Sequence, residues 1–532
     1  FLIITYKSLR LLEMDILKVI RSCKPGQQEL NFIDGSCITL KQFYGIELLD
    51  FPHEVAMLSL WLAEHQMNRK FSDEFKVNTR ALPLHNITQI VCGNACRIDW
   101  KEVCPHEPED EVFVFGNPPY VGGKLQTKEQ KDDLKLILGH LPSFKNLDYI
   151  SIWFYKASYY INSKSSLAFV STNSICQGEQ VGMLWPYIYK NNVNIFFAFK
   201  SFKWSNNAKN NAGVTCVIIG LTKKSMTKAI YDDTKKEIVT NITPYLNQGN
   251  STIIYSSNTS ISNLPTMEYG NMPLEGGYLK LNELEKNSII NEFPKAQKFI
   301  KPVIGGEELI NSIPRFCLWI DDKDLEEAKS IPPILDRINK VKQFRETGGE
   351  VARTLVNKSH QFRYRKVAMV NQIVIPCTSS EKRDYLQCGL FDSSYITMNS
   401  LEVIYDAPIW VFGILSSKMH MAWVKTVGGR LETRYRYSAQ LCYNTFPFPS
   451  INEEKKKQIE ETAENVLVTR AFYPEKTLAE LYDPDKMPED LKEAHAVLDD
   501  IVESCYPGYP FANDEARLEC LFKLYEKMTN KK

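Results

Sequence analysis

Residues 114–123 read VFGNPPYVGG, and this stretch decides how the first half of the chain is interpreted. The apolar run before it predicts a buried strand that ends at Asn117. Two prolines follow, and proline has no backbone N–H to donate to a neighbouring strand. A strand end of this kind offers carbonyl acceptors on a stiff backbone, which is typical of a site at the edge of a sheet.

Short apolar runs alternate with helical patterns from residue 1 to about residue 225. This alternation predicts an α/β fold with a mostly parallel sheet and helices on both faces. Besides the run that ends at NPPY, the predicted strands are FYGIELL (43–49), ITQIVCGNA (87–95), SLAFVSTNS (166–174), NIFFAFKSF (194–202) and AGVTCVIIGL (212–221). The last two are expected to pair antiparallel. Residues 240–275 read as a linker, and the chain after residue 451 reads as helical.

The composition is that of a globular protein with several domains: 532 residues, 44% hydrophobic and 24% charged. No apolar run approaches the roughly 20 residues that span a bilayer. The cysteines show no regular framework, which predicts a reducing cytoplasm. Cys92, Cys96, Cys104 and His106 do not have the paired spacing of a zinc site, so no metal is expected.

Net charge is zero over the whole chain, but one stretch is strongly basic. From Arg337 to Arg383 there are eleven Lys and Arg against three acids, a net charge of +8. This basic segment (337–383) also carries aromatic residues, a combination that suits a nucleic acid backbone. A solvated face without a partner is the alternative explanation of such a charge run.

Three predicted strands end in polar residues that suit a nucleoside cofactor and a base. Glu47 can accept hydrogen bonds from two ribose hydroxyls, and Asn94 can read the edge of an adenine ring. Each of these, taken alone, also fits an ordinary surface residue. Asn117 is the third, and it belongs to a quartet, Asn-Pro-Pro-Tyr, that has a more specific chemistry.

An exocyclic amine on a base is a poor nucleophile because its lone pair is delocalised into the ring. Two acceptors that hold its N–H bonds draw the nitrogen towards a tetrahedral, nucleophilic geometry. The Asn117 side-chain oxygen and the Pro118 carbonyl are the expected acceptors, and Pro119 stiffens the loop. Tyr120 offers a face on which an extruded base stacks. The alternative is a turn with a packed tyrosine.

An Asn-Pro-Pro-Tyr quartet after a strand resembles motif IV of S-adenosylmethionine-dependent DNA methyltransferases that act on amines, most often adenine N6. Neighbouring stretches resemble successive blocks of the MmeI-type restriction–modification enzymes. They are YGIELLDFPHEVAMLSLWLAEHQMN, GNACRIDW, NPPYVGGKLQT, FVSTNSICQGEQV, GVTCVIIGL, GGEELINSIPRFCLWI, CTSSEKRDYL and GGRLETRYRYSAQLCYNTFPFP. The resemblance covers nearly the whole chain.

The resemblance implies a Rossmann-like methyltransferase domain (1–275), a target recognition domain (276–450) and a helical C-terminal domain (451–532). It assigns the target amine to Asn117, Pro118, Pro119 and Tyr120. It assigns S-adenosylmethionine to Glu47, Asn94, Ala95 and Asn117. It marks Glu432 and Arg434 as a base-reading pair for double-stranded DNA, with a local ion pair as the alternative. Further DNA contacts are expected from Arg430 and Arg436 and, in the basic segment, from Arg363, Arg365, Lys366, Lys382 and Arg383.

One departure from the family concerns the start of the chain. The glycine-rich first motif, the nuclease domain and the helical linker of the family are not found, and Phe1 begins inside a helical pattern. We therefore expect a fragment of a longer enzyme that also cleaves DNA, and weak cofactor binding by this segment. The alternatives are an amino methyltransferase for RNA or protein, and a DNA-binding product without catalysis.

Overall fold

The structure is a computed structural model that describes residues 1–23, 36–76, 89–204 and 214–530. Two compact units are present. The first comprises Phe1–Ile175, Met183–Trp204 and Cys216–Ile242, and the second comprises Cys176–Gly182, Ser205–Thr215 and Thr243–Lys532. No helix of the described ranges combines the length and apolarity needed to cross a membrane.

Helices and strands alternate through the first half, as the sequence pattern predicts. The α-helices are α1 (Leu2–Cys23), α2 (Asp50–Phe75), α3 (Trp100–Val103), α4 (Lys128–Leu138), α5 (Ser151–Tyr160), α6 (Glu179–Tyr189), α7 (Glu283–Glu292), α8 (Gly306–Asn311), α9 (Leu325–Lys329), α10 (Pro332–Glu346), α11 (Glu350–Arg353), α12 (Ile409–Leu415), α13 (Lys418–Val427), α14 (Glu453–Ala471), α15 (Leu478–Leu481), α16 (Glu489–Glu503) and α17 (Asp514–Thr529). The prediction of a helical chain after residue 451 is confirmed by α14, α15, α16 and α17.

Most strands are short, but β5 has 11 residues and β6 has 9. They are β1 (Gly45–Glu47), β2 (Ile90–Cys92), β3 (Phe113–Gly116), β4 (Ser166–Thr172), β5 (Asn194–Trp204), β6 (Val214–Thr222), β7 (Lys228–Tyr231), β8 (Lys236–Val239), β9 (Glu268–Tyr269), β10 (Lys280–Leu281), β11 (Ile300–Ile304), β12 (Phe316–Leu318), β13 (Asn371–Pro376), β14 (Thr378–Ser379), β15 (Gly389–Asp392), β16 (Ile396–Thr397), β17 (Leu401–Tyr405), β18 (Gly429–Leu431) and β19 (Arg434–Arg436). The start of the strand predicted at 87–95, and that of the one at 212–221, lie outside the described residues.

The first unit has two sheets. In the smaller sheet β1 pairs with β2 in parallel. In the larger sheet the order is β3-β4-β6-β5-β7-β8, so the expected neighbours β5 and β6 do lie side by side. β3 and β4 are parallel and so are β5 and β7, whereas β4 with β6 and β7 with β8 are antiparallel. The larger sheet is thus more mixed than the sequence pattern predicts.

The long helix α2 is held by a regular apolar face. Its buried residues, spaced three or four apart, are Leu60, Ala63, Met67, Phe71 and Phe75. This spacing places them on one side of a helix. They share an apolar cluster with Tyr6 and Met14 of α1. The helix that precedes β1 therefore packs beside the helix that follows it.

The second unit contains three small sheets, ordered β10-β12-β11-β16, β15-β13-β17-β9 and β14-β19-β18. Strand β9 lies inside the stretch predicted as a linker (240–275). One apolar core joins buried residues from Ile254 to Tyr525, so it includes residues on both sides of position 450. The domain boundaries predicted at 275/276 and 450/451 therefore stay predictions.

Candidate active site

Strand β3 ends directly before Asn117, as predicted, and the next residues form what we call the NPPY loop (117–121). The expectation of a buried strand is wrong, because β3 stands last in its sheet order, with Phe113 exposed and Val114, Phe115 and Gly116 only partly buried. Asn117 is exposed and Pro118 is buried. Within the described residues the Asn117 carboxamide has no hydrogen-bond partner, and no donor reaches the Pro118 carbonyl. Two acceptors on adjacent residues therefore have no donor in the described part of the chain.

Tyr120 is fixed at its hydroxyl. The thiol of Cys216 on β6 lies 3.8 Å from the Tyr120 hydroxyl oxygen and donates to it. Burial, and next the contact with the Cys216 thiol, raise the pKa of Tyr120 to about 12, so the phenol stays neutral at physiological pH. The ring is partly exposed, which leaves surface on which an aromatic ligand can stack.

A buried carboxylate fastens the end of the NPPY loop. Asp148 Oδ1 accepts from the backbone N–H of Val121 (2.9 Å). The hydroxyl of Ser174, just beyond β4, donates to Asp148 Oδ2 (3.0 Å), and that of Thr172 lies at 3.4 Å. Burial raises the pKa of Asp148 against these hydrogen bonds. The loop is thus tied to the neighbouring strand as well as to its own.

Glu47 and the loop after β2 lie side by side. In the parallel register Glu47 is opposite Cys92, and the N–H of Gly93 donates to the Glu47 carbonyl (2.8 Å). The Glu47 carboxylate is half-buried, and within the described residues it has no hydrogen-bond or ion-pair partner. Both of its oxygens are therefore available to two adjacent hydroxyls.

Gly93 begins what we call the β2–α3 loop (93–99). Its φ is +157°, and a Cβ at this position would lie 2.6 Å from Ile98 Cδ1. Both facts favour glycine, because an L side chain rarely adopts this backbone and the space is already filled. The loop can therefore turn back closely on itself after the strand.

Asn94, predicted to read an adenine, makes two hydrogen bonds inside the protein. Its Oδ1 accepts from the backbone N–H of Cys96 (2.8 Å), and its Nδ2 donates to Asp133 Oδ2 (2.9 Å). Arg97 Nε donates to the other oxygen of Asp133 (2.7 Å). Burial disfavours the charged Asp133 carboxylate, but the bonds from Asn94, Arg97 and Tyr149 together hold its pKa below the ordinary value.

Lys156 of α5 holds the same loop through its carbonyls. Its ammonium donates to the carbonyl oxygens of Ala95 (2.8 Å), Cys96 (3.0 Å) and Ile98 (2.8 Å). Trp100 Nε1 also donates to the Ala95 carbonyl (2.9 Å). In the part of the chain that the structure describes, the N–H of Ala95 has no acceptor. Ala95 thus leaves a donor open while its carbonyl is occupied.

Sequence reasoning missed Asp133, Asp148 and Lys156. All three lie on or before helices, and each contacts a loop between about 25 and 60 positions away in sequence. The sequence holds a weak signal that Asp133 is buried, because this residue directly precedes Leu134 on the buried face of α4. The contacts themselves depend on the tertiary fold.

Among the described residues, ligand atoms of Asp50, His53 and Glu54 converge to within 4.8 Å at the start of α2. Nε2 of His53 is already paired with the Ile90 carbonyl (2.9 Å), and both acids are exposed. Exposed acidic groups of this kind are common without an ion, so we assign no metal to these residues.

In the second unit, Glu432 and Arg434 lie on a hairpin of β18 and β19. Glu432 has a left-handed backbone (φ +59°), which is uncommon for a residue with a side chain. Arg434 Nη2 donates to Glu432 Oε2 (3.1 Å), and both side chains are exposed, by 48% and 77%. The pair therefore stands at the surface, where either member can exchange its partner for a ligand.

The other predicted DNA-binding residues form two groups, according to whether their side chains are bonded to other described residues. Arg436 and Lys382 are exposed, and their side chains have no hydrogen bond or ion pair within the described ranges. The remainder are bonded inside the protein: Arg430 to the Thr433 carbonyl, Arg363 to the Tyr364 hydroxyl, Arg365 to Asp321, Lys366 to Glu268 and Arg383 to Gln387.

Arg365 shows how closely some of these side chains are held. Its guanidinium bonds Asp321 Oδ1 (2.9 Å) and stacks over the Trp319 ring at 4.2 Å. Arg345, part of the same basic segment, is fully buried and donates to the carbonyls of Leu274, Leu355, Lys358 and Gln361. The charge count of this segment thus overstates its free positive surface.

Three family descriptions match the chain in succession. They are the MmeI DNA-methyltransferase domain over residues 1–232, the MmeI target recognition domain over 248–450 and the MmeI C-terminal domain over 451–531. Together they leave only short stretches unmatched.

Two known proteins are similar over the full length of the chain. DNA methyltransferase A of Bacillus subtilis (strain 168) is 46% identical over 538 residues, and the chain spans 60% of that relative's length. The solved structure of the Type IIL restriction–modification enzyme MmeI in complex with DNA is 41% identical, with a TM-score of 0.88. The match covers 100% of this chain and 72% of that one. This chain therefore belongs to the MmeI family.

Proposed function

We propose that this chain carries the methyl-transfer and target-recognition parts of a site-specific DNA methyltransferase that modifies adenine N6. The observation that carries the proposal is the pair of open acceptors, the Asn117 carboxamide oxygen and the Pro118 carbonyl, on a loop fastened at Val121. Membership of the MmeI family supports the same reading.

In this proposal the target adenine leaves the duplex and stacks on Tyr120. The Asn117 oxygen and the Pro118 carbonyl accept its two amine N–H bonds and localise the lone pair on nitrogen. Because the Pro118 carbonyl belongs to a stiff proline backbone, this acceptor needs little reorganisation as the amine attacks. After transfer the nitrogen carries a positive charge, which these acceptors stabilise until a proton leaves to solvent.

S-adenosylmethionine would supply an electrophilic methyl group on a sulfonium. The donor set of the first unit fits the nucleoside part of this cofactor: the Glu47 carboxylate can accept from both ribose hydroxyls, and the Ala95 N–H can donate to a ring nitrogen. Asn94 would act mainly by shaping the loop, because one N–H and one lone pair of its amide are already used.

Base recognition would fall to the hairpin of β18 and β19. Arginine can bond guanine O6 and N7 in a bidentate manner, and glutamate can accept from cytosine N4. The left-handed backbone of Glu432 costs about 1 kcal/mol or more, and such strain is often found where function requires it. Lys382 and Arg436 would add contacts to the DNA, since their side chains are exposed and have no hydrogen bond or ion pair with any residue that the structure describes.

The test is to incubate the protein with isotopically labelled S-adenosylmethionine and genomic DNA, and to identify the methylated nucleoside by mass spectrometry. We expect N6-methyladenine at one short recurring sequence. The initial rate of product formation must fall about 10²-fold or more with Asn117→Ala, while Asn162→Ala, which removes an amide bonded to the carbonyls of Glu107 and Asp110, must keep it. Parallel incubations with RNA and with protein extract test the other amine substrates.

N4-methylcytosine as the sole product would contradict the adenine assignment but retain the amine chemistry. Transfer of the labelled methyl group to RNA or protein but not to DNA would contradict the proposal as a whole. DNA binding without any methyl transfer, under cofactor saturation, would favour a recognition role alone.

A further inference from the structure

The dipeptide Asp148-Tyr149, one residue before α5, holds one residue of the NPPY loop by both of its backbone groups. The Val121 N–H donates to Asp148 Oδ1 (2.9 Å), and the Tyr149 N–H donates to the Val121 carbonyl (3.0 Å). Asp148 and Tyr149 are buried, at 4% and 5% exposure. The end of the loop is therefore fixed in two directions by neighbouring residues.

The side chain of Tyr149 reaches the other loop of the site. Its hydroxyl donates to Asp133 Oδ2 (2.8 Å), the same oxygen that accepts from Asn94 Nδ2 (2.9 Å). Asp133 is 2% exposed, and Cys96 Sγ lies 3.5 Å from the Tyr149 hydroxyl. Three hydrogen bonds thus connect Val121 of the NPPY loop with Asn94 of the β2–α3 loop.

We propose that Tyr149 is a positioning residue that sets the separation between the NPPY loop and the β2–α3 loop. This inference rests on the proposed function, in which the first loop holds the amine and the second borders the cofactor. Reacting atoms must lie about 3–3.5 Å apart and in line, and a misplacement of about 1 Å can cost 10²-fold in rate. A buried, hydrogen-bonded phenol is stiff enough to transmit such a constraint.

Tyr149 does not touch the reacting groups in this account. It donates a hydrogen bond and neither accepts a proton nor forms a covalent bond. Burial raises the pKa of the Tyr149 hydroxyl most, and the contacts with Cys96 and Asp133 raise it further. The hydroxyl therefore remains a neutral donor over the physiological range. Its effect on the reaction would therefore be geometric.

The variant is Tyr149→Phe, which removes one hydroxyl and keeps the ring in the core. The matched control is Tyr160→Phe at the end of α5, because Tyr160 is also buried and its hydroxyl also donates one bond, to the Cys104 carbonyl (2.6 Å). With saturating DNA and cofactor we expect kcat to fall about tenfold in Tyr149→Phe, within the range that misplacement produces. Tyr160→Phe must stay within about twofold.

A second readout needs neither cofactor nor DNA. Hydrogen exchange followed by mass spectrometry should show faster exchange of peptides from both loops in Tyr149→Phe. In Tyr160→Phe the increase must be confined to the region of Cys104. Asp133→Asn, which weakens the same connection from the other side, should repeat the pattern of Tyr149→Phe.

The outcomes separate this inference from the proposed function. An unchanged kcat in Tyr149→Phe, or an equal loss in Tyr160→Phe, overturns the positioning role. A loss that disappears at saturating cofactor also overturns it, since it indicates binding alone. Faster exchange in only one loop refutes the connection. If the unaltered protein transfers no methyl group to DNA, the proposed function fails, and hydrogen exchange still decides whether the two loops are coupled.

Discussion

The NPPY loop and the basic segment (337–383) both attract attention in the sequence, yet the fold treats their polar groups in opposite ways. In the loop, the backbone is anchored at Val121 while the acceptors of Asn117 and Pro118 have no partner among the described residues. In the basic segment, every cationic side chain but those of Arg353 and Lys382 has an intramolecular hydrogen bond or ion pair.

Charge density in a sequence is therefore a poor measure of the charge that is available to a ligand. Asp321 and Asp322, more than thirty residues upstream, pair with Arg365 and Lys358. A polar group is free for a ligand only when the fold supplies no partner for it, as with Asn117. The following predictions challenge this contrast, in order of decreasing expected effect.

Arg345→Met should give the largest loss of stability. It removes a buried guanidinium that donates to four or more backbone carbonyls and leaves those acceptors unpaired. We expect the free energy of unfolding to fall by about 3–5 kcal/mol, as for other broken buried charge networks. Urea unfolding followed by tryptophan fluorescence measures it.

The matched control for that experiment is Arg353→Met in the same segment, because this side chain is exposed and has no partner in the described ranges. It should change stability by no more than about 0.5 kcal/mol. Equal losses of the free energy of unfolding in the two variants would mean that the buried hydrogen bonds of Arg345 do not stabilise the fold.

Glu402→Gln tests a buried acid of the second unit. One Glu402 oxygen accepts from the Ala439 N–H (3.1 Å), the other is buried without a partner, and burial raises the pKa of Glu402 from 4.5 to about 7. The folded protein therefore binds more protons than the unfolded chain between these values, so stability falls as pH rises through this window.

Glutamine cannot ionise, so the variant should lack this loss. Relative to the unaltered protein, its free energy of unfolding should rise by up to about 3 kcal/mol between pH 4.5 and pH 7.5. The difference is measured by urea unfolding at several pH values. A difference that stays constant with pH would show that Glu402 is ionised at little cost.

Exchanging Glu432 and Arg434 tests whether the hairpin reads a base. The exchange should change one base pair of the recognition sequence, because a good pair contributes about 1–3 kcal/mol of discrimination. Sequencing of methylated sites measures this. Glu432→Gly relieves the left-handed strain, so it should raise stability slightly while relaxing the preference at that base pair. Uniform loss at all sites in either variant would indicate a structural ion pair.

Lys382→Gln should have the smallest effect. If the free ammonium meets a phosphate, the slope of log affinity against log salt should become shallower by about 0.9. Arg365→Gln serves as the comparison, since Arg365 is bonded to Asp321 and stacked on Trp319. A larger change of slope in Arg365→Gln than in Lys382→Gln would contradict the claim that unpaired cations, and not paired ones, meet the DNA.

Many of the helices and strands of both units follow from sequence pattern. The runs before Glu47 and Asn117 are strands, and the helices after residue 451 form where their apolar spacing predicts. Local periodicity carries this information. It does not carry strand direction, which is why the larger sheet is more mixed than expected.

The contacts that shape the site could not be read in the same way. The hydrogen bonds from Asn94 to Asp133 and from Lys156 to the β2–α3 loop join residues far apart in sequence. Arg345 is an instructive exception. On α10 it continues the buried series Ile334, Ile338 and Val341, so the helical period alone places it on the apolar face.

The most direct test of the central claim compares acceptor chemistry at position 117. The single-turnover rate of methyl transfer is measured, with saturating DNA and cofactor, for the unaltered protein, Asn117→Asp and Asn117→Leu. Aspartate keeps an acceptor oxygen, and leucine has similar size without one. We predict that Asn117→Asp retains measurable transfer, whereas Asn117→Leu loses about 10²–10³-fold, as when one pre-positioned hydrogen-bonding group is removed. Transfer at the unaltered rate in Asn117→Leu would contradict the claim that this oxygen holds the target amine.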